Sequence, residues 1–184
     1  MRKALFIIMS LCLVLALSCE TTGNAARGDA PVPGGSLTNI VVQLRDNFQY
    51  GNSYAGDIGR GEGRELMNGY RIREGDTFTL KVTYTVSRDL ETPIWVGLVD
   101  QSAASSYWNP LTWRQGSGLE GSGVNLSTEA PRAGQTYTAE VTMTAIKNSP
   151  GSSADQNTIR FESIGTRGKP TAVITFSEFV FTKN

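Results

Sequence analysis

The feature that most constrains this chain is the segment 77–86, in which apolar and polar side chains alternate without a break. Successive side chains of a β-strand point to opposite faces, so this period of two predicts a strand with one buried face and one face in water. The apolar positions are Phe78, Leu80, Val82, Tyr84 and Val86. A fold that contains this segment therefore needs a core on one side of a sheet.

Similar strand patterns occur on either side of this segment. Residues 137–145 repeat the alternation, and the segment 40–50 keeps the same phase. The last segment, 173–181, is apolar on both faces, and its phase slips near Ser177 and Glu178, which predicts a β-bulge or a bend. Weaker strands are predicted at 65–72, 93–100, 124–127 and 157–164. Eight or nine short strands without a helical period predict an all-β, two-sheet antiparallel sandwich.

The N-terminal segment has the pattern of an export signal. Arg2 and Lys3 precede fourteen residues that only Ser10 interrupts, and Cys19 follows the small residue Ser18. This arrangement resembles the lipobox of bacterial lipoproteins, in which the cysteine thiol is diacylated and becomes the new N-terminus. It departs from the usual box at the two residues 16–17. The resemblance implies lipidation at Cys19, while ordinary signal cleavage and an uncleaved anchor are the alternatives.

The segment after Cys19 predicts a flexible tether rather than a folded element. Residues 20–36 contain four glycines, three alanines and two prolines, with Val32 as the larger aliphatic side chain. Such a composition cannot bury a core. The predicted organisation is a signal peptide at 1–18, a lipid-anchored linker at 19–38 and a β-sandwich at 39–184. The expected location is the bacterial cell envelope, with the domain facing the periplasm or the cell surface.

Composition excludes several kinds of chemistry. The chain has no histidine, which excludes a Ser-His-Asp triad and histidine-ligated zinc. Its cysteines are Cys12 and Cys19, so the predicted sandwich contains no thiol and no disulfide. Without Arg2 and Lys3 the mature chain keeps 15 of the 17 basic residues against 17 acidic ones. This balance argues against nucleic acid as a partner.

The segment that begins at Asp100 is the richest candidate binding site. Two of the three tryptophans, Trp108 and Trp113, lie in it beside amide and charged side chains. Sugars present apolar faces and hydroxyl rims, so aromatic platforms with polar neighbours suit them. The alternative is that these tryptophans only fill the core or plug a loop. The candidate glycan-binding residues are Trp95, Asp100, Gln101, Tyr107, Trp108, Asn109, Trp113, Arg114 and Gln115.

Two strand patterns carry a resemblance to a known class of domain. Residues 75–80 read Gly-Asp-Thr-Phe-Thr-Leu, and the chain ends with Ile-Thr-Phe-Ser-Glu-Phe-Val-Phe from Ile174 onward. Both patterns resemble jelly-roll carbohydrate-binding modules of the galactose-binding-like type, over about residues 39–184. The resemblance implies a jelly-roll topology and a glycan ligand. It also implies a structural calcium, with Glu178 and either Asp46 or Asp57 as candidate ligands, although Glu178 also suits a solvated charge on a bent strand.

The sequence therefore favours a membrane-anchored, non-catalytic glycan-binding lipoprotein. The alternative is a surface adhesion or structural lipoprotein that binds a protein partner. A small glycosidase is disfavoured, because such sandwiches carry an alternating Glu-x-Asp-x-Glu run on one strand and none is present. No cofactor is expected beyond the calcium.

Overall fold

The structure, a computed structural model, describes residues 32–47, 53–58, 66–67, 70–100, 109–110, 124–149, 157–164 and 170–184. The side chains at 46–47, 53–57, 100, 109–110 and 164 lie outside this description. The described residues form ten strands. These are β1 Gly34–Leu37, β2 Ile40–Asn47, β3 Ser53–Asp57, β4 Thr77–Val86, β5 Trp95–Asp100, β6 Asn109–Pro110, β7 Val124–Asn125, β8 Tyr137–Thr144, β9 Asn157–Ile164 and β10 Ala172–Lys183.

The strands form two antiparallel layers that share β2. In the first sheet β8 pairs with β4, β4 with β10, and β10 with both β1 and the first half of β2. In the second sheet the end of β2 pairs with β3, β3 with β9, and β9 with β5, which also pairs with β6 and β7. Successive long strands therefore alternate between the layers, and the predicted jelly-roll sandwich is confirmed.

The core lies between the two sheets and is rich in aromatic rings. The five apolar side chains of the 77–86 alternation are all buried, as the sequence predicts. Phe78 stacks on Phe181 with ring centroids 5.5 Å apart, and Phe176 meets Phe179 edge to face at 5.3 Å. Such contacts add to the free energy gained from removing apolar surface from water.

A bulge in β10 lets one strand contribute to the core along its whole length. Phe176 opposes Tyr84 on β4, but Glu178 opposes Thr83, so Ser177 is an extra residue. Before the bulge even-numbered residues are buried, and after it odd-numbered ones are. The buried residues are Ala172, Ile174 and Phe176, followed by Phe179 and Phe181. The predicted bulge is confirmed, and it explains why this segment reads as apolar on both faces.

The sandwich begins earlier than the sequence predicts. Gly34–Leu37, assigned above to the flexible linker, pairs with the C-terminal part of β10. Leu37 opposes Phe179 and Ile40 opposes Phe176, so β1 and β2 run along the same edge of β10. Asn39 lies between them in the left-handed region, with φ of 57°. The linker boundary at residue 38 is therefore wrong, because backbone pairing recruits glycines that have no side chain to bury.

Other predicted strands differ in detail. The strand expected at 65–72 is wrong: Leu66 and Met67 are helical and buried, and residues 70–72 form no strand. Strands β3 and β6 were not predicted. Within the described residues, no helix is long and apolar enough to cross a membrane.

Candidate functional site

The outer face of the second sheet brings Trp95 together with charged residues. Val96 and Leu98 of β5 point into the core, so Trp95 and Gly97 lie on the opposite face of the strand. Directly paired residues share a face of a sheet. Trp95 pairs with Glu162 of β9, and Gly97 pairs with Arg160. An aromatic ring, a carboxylate and a guanidinium therefore occupy neighbouring positions on this face.

These side chains are covered, although they lie on the outside of the sandwich. Trp95 is 9% exposed and is not part of the core cluster. Trp95 is therefore a buried ring on the outer face of the second sheet, on the same strand face as Gly97. Its role in glycan binding stays a prediction.

The charged pair on β9 is also nearly inaccessible to water. Arg160 Nη1 lies 3.9 Å from Glu162 Oε1, and their side chains are 6% and 4% exposed. Removing two charges from water is costly unless polar contacts replace the solvent. Charged residues on the outer face of a sandwich are normally exposed to water. Arg160 and Glu162 are buried, so this part of the outer face is shielded from solvent.

The sequence does not reveal the role of Arg160 and Glu162. The alternation in β9 places them on the polar face, where charged residues need no explanation. Their significance comes from the pairing of β9 with the strand that carries Trp95. The register between β5 and β9 cannot be read from the sequence, so these two residues were not predicted.

The aromatic segment is anchored to β5 on both sides. Asn109 and Pro110 pair with Asp100 and Val99, at the end of β5. Beyond the segment, Val124 and Asn125 pair with Val96 and Trp95, at the beginning of the same strand. The described residues on either side of 111–123 therefore pair with opposite ends of β5.

The structure tests only part of the predicted site. Asp100 and Asn109 are direct partners across β5 and β6, so these two predicted residues are brought together. The remaining candidates in this segment lie outside the described residues, as does the lipidation site. They are Gln101, Tyr107, Trp108, Trp113, Arg114, Gln115 and Cys19.

Two of the candidate calcium ligands, Glu178 and Asp46, lie far apart. Glu178 is half-buried, and its Oε2 accepts a hydrogen bond from the Thr83 hydroxyl at 3.1 Å. The register of β2 and β10 separates Glu178 from Asp46 by about eight residues along the strands, or roughly 26 Å. These two residues therefore cannot share one ion. The Asp57 side chain lies outside the description, and the described residues contain no group of three acidic side chains suited to a metal.

Comparisons with known proteins find similarity at the level of structure. No protein-family model matches the chain, and no curated protein matches it. The N-terminal cellulose-binding domain of β-1,4-glucanase C from Cellulomonas fimi has a TM-score of 0.40 at 15% identity, over 78% of this chain and 88% of that chain. A carbohydrate-binding module specific for non-crystalline cellulose has a TM-score of 0.37 at 11% identity, over 82% of this chain and 75% of that one.

A structure of a different kind has a similar score. The tripod of the baseplate of bacteriophage Tuc2009 has a TM-score of 0.43 at 12% identity, covering 82% of this chain and 46% of that chain. The fold assignment itself rests on the strand pairings described above.

Proposed function

We propose that the protein is a non-catalytic glycan-binding lipoprotein, held at a membrane by an acylated Cys19. The proposed binding surface is the aromatic segment that begins at Asp100, which meets β5 next to the buried Trp95. The observation that carries this proposal is the enclosed row of Trp95, Glu162 and Arg160 next to both anchor points of a segment with two further tryptophans.

This arrangement suits a sugar for a physical reason. An indole ring offers an apolar surface to the C–H face of a pyranose, and carboxylate, amide and guanidinium groups bind its hydroxyls. Anchoring the segment at both ends to one strand reduces the conformational freedom that a ligand must remove on binding. The calcium suggested by the resemblance is not part of this proposal.

A glycan array probed with the purified protein tests the proposed function. We expect Trp108→Ala and Trp113→Ala to abolish binding while the melting temperature stays unchanged. Val41→Ala is the matched control, because Val41 is an apolar side chain, 54% exposed, on the first sheet. Binding should survive this change.

Two results would contradict the proposal. An empty array together with the capture of a stable protein partner would favour an adhesion or structural lipoprotein. Release of reducing sugar from a bound glycan, abolished by one Glu→Gln change, would identify an enzyme.

A further inference from the structure

An open groove of about 470 Å³ runs beside β8, at the free edge of the first sheet. One wall is formed by residues 125–129, which follow from β7 of the second sheet. The other wall is formed by residues 137–141 of β8. The groove therefore lies where the edges of the two sheets approach each other, and the outer-face residues Trp95, Arg160 and Glu162 are not among those that line it.

The groove has an apolar floor and a polar rim. Tyr137, Ala139 and Val141 are half-buried and pack against the core. The exposed side chains around them carry hydroxyl, amide or carboxylate groups. Asn125, Thr128 and Glu129 belong to the wall opposite β8, whereas Thr138 and Glu140 alternate with the floor residues and lie on the other face of β8. An apolar floor with polar groups along one wall suits an amphipathic ligand such as a sugar chain.

The aromatic ring in the groove is held in place before any ligand arrives. The Tyr137 hydroxyl donates to Gln135 Oε1 at 2.7 Å and accepts from the Arg132 backbone N–H at 2.7 Å. Its ring stacks on Tyr84, with centroids 5.4 Å apart. A ring fixed from both its edge and its face loses little freedom on binding, which favours affinity.

The loop that holds this ring is itself fixed by a carboxylate. Asp89 Oδ1 accepts a hydrogen bond from the Ala133 N–H at 2.9 Å, and Asp89 Oδ2 lies 3.2 Å from the Arg132 guanidinium. The Ala133 N–H, and then Arg132, lower the pKa of Asp89 below its usual value. Asp89 therefore remains charged, and keeps these contacts, at neutral pH.

The charge of the groove selects among sugars. Its lining residues include Glu129 and Glu140 but no lysine or arginine. Glu140 lies on the other face of β8 from the floor residues and pairs with Lys81 of β4, so Glu129 is the residue that carries the charge argument. Carboxylate oxygens accept hydrogen bonds from hydroxyl or ammonium groups and repel other anions. We propose that this groove is a second carbohydrate-binding site, which takes neutral or amino-substituted chains and rejects chains that carry carboxylates. The ligand class rests on the proposed function, whereas the location does not.

Backbone amide shifts in the NMR spectrum of the purified protein locate the site directly. The probes are cellohexaose, mannohexaose and a chitosan hexasaccharide, with hexagalacturonate as the anionic counterpart. We expect at least one of the first three to shift amides within 125–129 and 137–141, and hexagalacturonate to shift none of them. Shifts only around Trp95, or shifts in the groove with a peptide library instead of sugars, would overturn the proposal.

Two variants provide independent tests of whether the groove binds the probe. Ala139→Leu fills the floor with an apolar side chain, and we expect it to weaken binding of the shifting probe roughly tenfold or more. Glu129→Gln removes an exposed charge from the rim and leaves the core intact, so hexagalacturonate should then shift amides within 125–129 and 137–141, while the affinity for the neutral probe changes less than about threefold. Glu74→Gln is the matched control, because Glu74 is an exposed carboxylate outside the groove.

The outcomes separate this inference from the proposed function. If Trp108→Ala abolishes binding while Ala139→Leu and Glu129→Gln change nothing, the groove is not a sugar site and the proposed function stands. If neither set of variants affects any sugar because no sugar binds, both proposals fail together. Loss of groove shifts in Ala139→Leu, with retained binding at the aromatic segment, supports two separate sites.

Discussion

At the scale of single residues, Tyr84 carries a polar atom into the core. Its side chain is fully buried, and its hydroxyl has no hydrogen-bond partner among the residues that the structure describes. Burial raises the pKa of the phenol, and the nearby Ser127 hydroxyl counters this only in part. Ser127 instead donates its proton to the Glu129 carbonyl at 2.6 Å. The ring is needed for stacking, but the hydroxyl is a cost to the folded state.

We expect Tyr84→Phe to increase the free energy of unfolding by about 1 kcal/mol, because the change removes a buried group that has lost its water. Chemical denaturation followed by tryptophan fluorescence measures this difference. A decrease of similar size would instead mean that the hydroxyl has a partner in solution.

Tyr137→Phe is the matched control for this change. It preserves the ring but removes the hydrogen bonds to Gln135 and to the Arg132 backbone. We expect it to lower the free energy of unfolding by about 1 kcal/mol, so that the same chemical change has opposite signs at two stacked rings.

At the scale of elements, the bulge at Ser177 explains how β10 contributes to the core along its whole length. One extra residue moves the buried positions of β10 from even to odd numbers. Because the bulge absorbs this residue, the side chains before and after it keep the same face toward β4 and the core. The last strand thereby supplies phenylalanines to the core on both sides of the bulge.

Deletion of Ser177 should leave Phe179 and Phe181 facing the core, because Glu178 would then follow Phe176 directly and the register with β4 would become regular. The deletion would shift the pairing of β10 with β1 by one residue, so we expect the free energy of unfolding to fall by about 1–3 kcal/mol. Circular dichroism and thermal unfolding measure the loss. Ser177→Ala is the control: it removes only the 3.3 Å hydrogen bond to the Thr83 carbonyl and should cost less than about 1 kcal/mol. A deletion variant that does not fold would show that the core depends on the bulge itself.

Sequence patterns predict the strands in which apolar and polar residues alternate, because this alternation indicates that one face of the strand is buried. The segment 77–86 coincides with β4 and 157–164 with β9, because alternation is a local property. Strands β1 and β3 are rich in small or polar residues, and backbone pairing with distant partners defines them. The strand predicted at 65–72 is wrong, because the apolar residues described in this segment are buried but do not belong to a sheet.

The candidate site was predictable only in part. Its aromatic residues stand out in the sequence because tryptophan is rare and clustered there. Arg160 and Glu162 become candidate site residues only once the register of β5 and β9 places them beside Trp95 and Gly97. The groove beside Tyr137 is formed by two segments that are close in space. Neither the strand register nor the proximity of these segments can be predicted from a local sequence pattern.

At the scale of the whole molecule, the proposed lipid anchor determines where binding takes place. We expect Cys19→Ser to move the protein from the detergent phase to the aqueous phase of a Triton X-114 partition and to abolish labelling by radioactive palmitate, because the acyl chains are lost. Glycan binding by the purified variant should be unchanged. A Cys19→Ser protein that still partitions with detergent would indicate an uncleaved hydrophobic anchor instead.

The pairing of Gly34 with Thr182 sets the two ends of the sandwich side by side. If Cys19 is acylated as we propose, a fluorescent reporter fused after Asn184 would emerge next to the anchored end of the domain. Under the same proposal, tension from a bound polymer would reach the sandwich first at β1. This strand has four residues, two of them glycines, so it would separate from β10 before the longer strands do.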